Sequence, residues 1–207
     1  MPASTTPQST SSRFVFGFEA TTADAGPLHR FVTASLAREL GILLSLSVMF
    51  PFLIHILPVP DDARLGPKLL PMFYAPLLAA LVGRTRSALL VALAAPWLNW
   101  ALTTHPAPRT GIVMMIQLVV FVFALRALLA GGHLRWLLAA PAYFACLVVG
   151  ALVTGIFPAL IGGRPALAWA IQGVTTALPG IAILVLINWV VVRSYPSGPG
   201  SDGPRTA

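Results

Sequence analysis

The chain has 207 residues, 57% of them hydrophobic and only 9% charged, with a mean hydropathy of +0.85. A soluble domain carries about 25% charged residues, so too little polar surface is present to meet water, and the expected solvent is lipid. The net charge of +7 does not point to nucleic acid, because the arginines stand singly between apolar runs and form no basic face; they read as charges at membrane edges.

Residues 1–30 are rich in Ser, Thr and Ala and interrupted by Pro2, Pro7 and Pro27, which predicts a disordered cytoplasmic tail. Met1 to Ser12 lacks the charged start and apolar stretch of a signal peptide. The run Arg13-Phe14-Val15-Phe16-Gly17-Phe18 is read either as a surface-lying segment or as an unstructured aromatic patch. Residues 31–193 are expected to form the membrane domain, from six apolar stretches near 37–58, 67–83, 87–104, 111–130, 134–158 and 166–193. Each approaches the ~20 residues that a hydrocarbon core of ~30 Å requires. Their continuous rather than alternating hydrophobicity excludes a closed barrel. The second stretch is short and contains Pro71 and Pro76, so it is predicted to tilt or kink. Residues 194–207, rich in Pro, Gly and Ser, predict a second cytoplasmic tail. The single cysteine, Cys146, lies in an apolar run, where it reads as a small packing residue.

Six spans place Arg13, Arg30, Arg38, Arg84, Arg86, Arg126, Arg135, Arg193 and Arg205 on the side of the termini, against Arg64, Lys68, Arg109 and Arg164 on the other. That excess predicts both termini in the cytoplasm of a cell with a multi-pass inner-membrane protein.

Polar residues then concentrate in the outer halves of the helices. Trp97, Trp100 and Thr104 share a stripe on the third stretch, Met114, Gln117 and Phe121 on the fourth, and Trp169, Gln172 and Thr176 on the sixth. The i, i+3, i+7 spacing aligns each set on one helical face. His55, Tyr74, Asn99, Thr103, Thr154 and Thr175 fall at similar depth. Taken singly, such residues are ordinary interhelical hydrogen-bonders or interfacial anchors, as Trp136 and Trp189 are at the inner ends. Taken together, they predict a pocket open to the outside, because polar groups at membrane depth pair or line a wet cavity.

The six acidic residues, Glu19, Asp24, Glu39, Asp61, Asp62 and Asp202, avoid mid-depth, which disfavours a proton relay. No P-loop, metal-protease motif or nucleophile elbow is present, so neither ATP hydrolysis nor other catalysis is expected of this chain. His29, His55, His105 and His133 lack ligand spacing, and no cofactor or metal is expected. On the first stretch, Ala37, Gly41 and Ser45 recur every fourth residue and leave a smooth groove for another helix, either a sibling or a partner protein.

This pattern resembles the substrate-binding S components of energy-coupling factor (ECF) vitamin transporters over most of residues 37–193. The matches are Leu70-Pro71-Met72-Phe73-Tyr74-Ala75-Pro76 in the second helix, Ala95-Pro96-Trp97-Leu98-Asn99-Trp100 through Pro106 in the third, Met114-Met115-Ile116-Gln117 in the fourth and Leu178-Pro179-Gly180-Ile181 in the sixth. His105 stands where a small residue is common, Gln117 where a Glu is frequent and Asn188 where a Pro often occurs, and the fifth helix lacks an Arg often seen there. The resemblance implies six helices, an outward vitamin or micronutrient site, toppling within the membrane, and energy from a separate coupling subunit with two ATPases. It also implies that Ala37 and Gly41 belong to the docking motif for that subunit. The competing readings are a polytopic scaffold of a cell-shape complex and, third, a membrane-embedded enzyme. Three tryptophans (Trp97, Trp100 and Trp169) would stack on a flat heteroaromatic ring. The ligand's charge stays open, because the outer loops hold Asp61 and Asp62 as well as Arg64, Lys68, Arg109 and Arg164.

Overall fold

The computed structural model describes residues 27–56, 65–82, 84–131 and 136–194. The expected tails fall outside these residues except for Pro27–Arg30, which begin the first helix, and Ser194, which ends the last; the 13–18 run and the Asp61/Asp62 loop also lie outside them. Every regular element among the described residues is helical. Long runs of Leu, Ala, Val and Ile leave no exposed backbone in lipid, since a helix satisfies its own N–H and C=O groups. Four helical stretches are long and apolar enough to cross a membrane: Ser35–Ile54 within α1 (Pro27–Ile56), α5 (Pro108–Ala130), α6 (Ala139–Ile156) and α7 (Ala166–Ser194). The chain is therefore an all-α, multi-pass membrane protein.

The other two stretches differ from a simple span. α4 (Thr85–Thr103) has 19 residues, but Arg86, Ser87, Asn99 and Thr103 dilute its apolar character. The second stretch is not one helix. It comprises α2 (Leu65–Leu69), a 3-10 turn (Pro71–Phe73) and α3 (Tyr74–Leu81). Pro71 dictates the break, because its ring disfavours the right-handed helical conformation of the residue before it. Leu70 adopts the left-handed region instead, at φ 53° and ψ 42°. From Pro71 to Leu81 the chain climbs only roughly 18 Å, well short of a bilayer.

This short segment is the axis of the bundle. Leu70 to Leu77, Ala79 and Ala80 are all buried, and α3 packs against α1, α4, α5 and α7. α4, α5, α6 and α7 follow one another around it, while α2 and the 3-10 turn sit beside α1 and α2 also packs along α7. Phe73 meets Phe121 edge-on at 5.2 Å and Tyr143 at 5.4 Å; Tyr74 packs edge-on against Phe50 at 5.4 Å. The Tyr74 hydroxyl donates to the Leu69 carbonyl exposed by the break, and the Arg126 guanidinium donates to the Ala80 carbonyl at 3.3 Å. Gly180 on α7 allows the closest approach. A Cβ there would fall 2.7 Å from the Lys68 carbonyl oxygen and 2.8 Å from the Leu69 carbonyl carbon.

Two contacts set the direction of α1 against α4. Glu39 pairs with Arg84 at 2.7 Å, and the Asn99 amide donates to the Ser47 carbonyl at 3.0 Å. Both helices thus advance toward the same end of the bundle, where α5 and α7 begin and α6 finishes.

Candidate functional site

At that end the chain leaves a recess. α5 starts at Pro108, whose missing N–H costs nothing at the first helical position. α6 stops before Phe157, and the chain passes through a 3-10 turn (Pro158–Ile161) and two glycines of positive φ, Gly162 at 68° and Gly163 at 76°, before Pro165 and α7. Between these elements lies a cavity of about 290 Å³, with Arg109, Thr110, Met114 and Gln117 from α5, Ala159 to Gly162 from the turn, Arg164, and Trp169 from α7.

Gln117 lies deep in the recess, one helical turn from Phe121 of the aromatic core. It is 8% exposed and has no hydrogen-bond partner among the described residues. Its amide is open to the recess, so a ligand that covers it must offer a matching polar group or lose about 1–3 kcal/mol. Gly150 on α6 makes room for it: a Cβ at 150 would stand 2.9 Å from Gln117 Nε2 and 3.2 Å from its Cγ. Sequence reasoning missed Gly150, although a glycine one turn before the buried Thr154 was a readable sign of close helix approach. At the mouth, Arg164 Nε donates to the Ile161 carbonyl at 3.3 Å, and its Nη1 donates to Gln172 Oε1 at 3.4 Å. Gln172 therefore reaches the site through Arg164.

Of the residues expected from sequence, the cavity gathers Met114, Gln117 and Trp169, with Gln172 at its edge. It does not gather Trp97 and Trp100. These are 36% and 42% exposed on the outside of α4, edge-to-face at a centroid distance of 6.5 Å, and Trp97 Nε1 donates to Met115 Sδ at 3.4 Å. Of the three tryptophans expected to share one pocket, this cavity holds Trp169 alone. The reason is the competing stripe of Ser87, Ala88, Val91, Ala92, Ala95, Pro96 and Asn99, whose small side chains occupy the inward face of α4. Asn99 turns into the bundle, donating also to the Ala95 carbonyl at 2.9 Å, and its Oδ1 is buried without a partner. Thr104 is exposed at the end of α4, with φ 60°. Tyr74 belongs to the core and Thr176 is half-buried along α7, neither lining the cavity. The His55 side chain lies outside the described residues.

Charge is distributed unequally. Arg38, Arg84, Arg86, Arg126 and Arg193 lie toward the end away from the cavity, Arg193 stacking over Trp189 at 5.4 Å. Arg109 and Arg164 stand at the cavity. Among the described residues no three His, Cys, Asp or Glu side chains come together as a metal site would need.

Ala37, Gly41 and Ser45 are exposed on α1, and a Cβ at Gly41 would meet nothing within 4 Å. The Ser45 hydroxyl turns back onto the Gly41 carbonyl at 2.7 Å, keeping the surface smooth. No described part of the chain covers this stripe. It continues into an apolar groove of about 430 Å³ between α1 and α4, formed by Leu44, Ser45, Val48, Met49, Phe52, Leu98 and Leu102.

The chain matches no known family model, no curated protein and no solved structure.

Proposed function

We propose that this protein is the substrate-capture subunit of an ECF-type importer, binding a vitamin-like small molecule in the cavity between α5, the 158–162 turn and α7. The observation that carries the reading is a concave recess in which Gln117, 8% exposed and without a hydrogen bond to any described residue, stands beside Trp169. Pockets of this kind combine an apolar wall with a few placed polar groups. The bare small-residue stripe on α1, clear of the cavity lining, supports docking of a coupling subunit that works with two ATPases. Nothing in the sequence would hydrolyse ATP, so energy is supplied by these partners.

In this reading the chain crosses the inner membrane with both termini in the cytoplasm, in six passes that count α4 and the α2–α3 segment. Among the described residues, five arginines away from the cavity, against Arg109 and Arg164 beside it and Lys68 on α2, support that orientation. Reporter fusions within 59–66, 105–110 and 159–165 are expected to report the outside, and fusions to either tail the inside. A reversed pattern would place the cavity in the cytoplasm and end the import reading.

Gly41→Leu tests the docking face. Since a Cβ at 41 meets no described atom within 4 Å and points to open space, the variant is expected to fold and retain ligand like the parent. Co-purification of an ATPase pair and uptake by cells should both fall at least tenfold, because a bulky residue prevents close helix approach. Unchanged uptake would remove the stripe from the mechanism, and co-purifying cell-wall proteins in place of ATPases would favour a scaffold.

A further inference from the structure

The charge of the ligand, open in the sequence, follows from what the cavity brings together. Two arginines, Arg109 and Arg164, line it, and among the described residues no carboxylate does. Among the described residues the one acidic side chain is Glu39, held by Arg84 at 2.7 Å on the α1–α4 flank. Arg109 keeps no ion-pair partner among those residues.

The backbone adds to the same sign. α5 is 23 residues long, its N-cap residue Ala107 offers no side-chain oxygen, and Arg109 and Thr110 of its first turn both line the cavity. The first amides of a helix lack intrahelical acceptors and carry the positive end of the dipole. An anion placed there meets two guanidiniums and a helix start, whereas a cation meets only like charge.

We propose that the ligand is an organic anion with a flat ring, its carboxylate or phosphate held between Arg109 and Arg164 and its ring against Trp169, with Gln117 completing the polar contacts. The inference rests on the capture reading above. Hydrogen bonds to the Ile161 carbonyl and Gln172 hold Arg164 at the mouth of the recess.

Benzoate, benzamide and benzylamine test the charge with one ring in three states. The full-length protein in phosphatidylcholine nanodiscs is titrated with each by calorimetry. Benzoate is expected to bind about tenfold tighter than benzamide, and benzylamine weakest. Arg109→Gln and Arg164→Gln should each bring the benzoate-to-benzamide ratio close to one without weakening benzamide, while Arg193→Gln leaves the ratio unchanged. Equal binding of the three, a preference for benzylamine, or no measurable binding would overturn the proposal. So would loss of benzoate binding when phosphatidylglycerol is added to the nanodiscs, which would assign both arginines to headgroups. The capture reading fails separately: a benzoate preference without a co-purifying ATPase pair sinks the importer alone, and an ATPase pair without the preference sinks the charge alone.

Discussion

Gly180→Ala is expected to destabilise the protein by about 2 kcal/mol or more, although an alanine in a helix is usually the better residue. Intrinsic propensity favours the change by about 1 kcal/mol. Against it stands a methyl group 2.7 Å from the Lys68 carbonyl oxygen and 2.8 Å from the Leu69 carbonyl carbon, a backbone neighbour that cannot rotate away. Overpacking a closed contact typically costs 1–3 kcal/mol and more where backbone must shift, so the steric term wins. Gly155→Ala is the internal reference. Its new methyl would meet only the Ala166 Cβ, at 3.7 Å, and propensity then decides, giving a neutral or slightly more stable protein. Melting followed by fluorescence-detected size exclusion in one detergent measures both. Equal midpoints for the two variants would mean that α2 and α7 are not in contact as described.

Trp169→Ala should weaken the ligand retained by the purified protein about 30-fold, the equivalent of roughly 2 kcal/mol for a well-packed aromatic anchor. Gln117→Ala should cost about 1–3 kcal/mol by leaving a ligand group unpaired. Gly150→Ala should act in the same direction without touching the ligand, because its methyl displaces the Gln117 side chain into the recess. Trp97→Ala and Trp100→Ala are the contrasting pair. Both rings lie on the outer face of α4, so affinity should stay within a factor of a few while any effect appears in melting. A large loss of affinity at Trp97 with none at Trp169 would move the site to α4 and away from the cavity described here.

That contrast shows where sequence reasoning stopped. Periodicity puts Trp97, Trp100 and Thr104 on one stripe, and they do share one. It does not say which way the stripe faces, and in lipid the usual cue fails because Leu and Trp are as acceptable outside as inside. The informative residues on α4 were the small ones: Ala88, Ala92 and Ala95, with Pro96 and Asn99, mark the side where other helices come close. On α5 and α7 the stripes run past the cavity, so Met114, Gln117 and Trp169 line it while Gln172 and Thr175 stay exposed. The helical class and the long apolar helices followed directly from composition. The division of the second stretch did not, since hydropathy registers length and polarity but not the left-handed Leu70 that ends α2. Arg109 and Arg164 were weighed against Asp61 and Asp62 as outer-loop charges without a resolved sign, because their placement at one cavity depends on the turn between α6 and α7.

The short axial segment also constrains how the protein is made. Pro71–Leu81 is apolar but only 11 residues long, below what a translocating channel releases into lipid as an independent span. Its frayed ends need donors that lie elsewhere in the chain, such as the Arg126 guanidinium on the Ala80 carbonyl. Its neighbours include α7, far along the chain. The place of the segment therefore depends on helices distant from it in sequence, α5 and α7 among them.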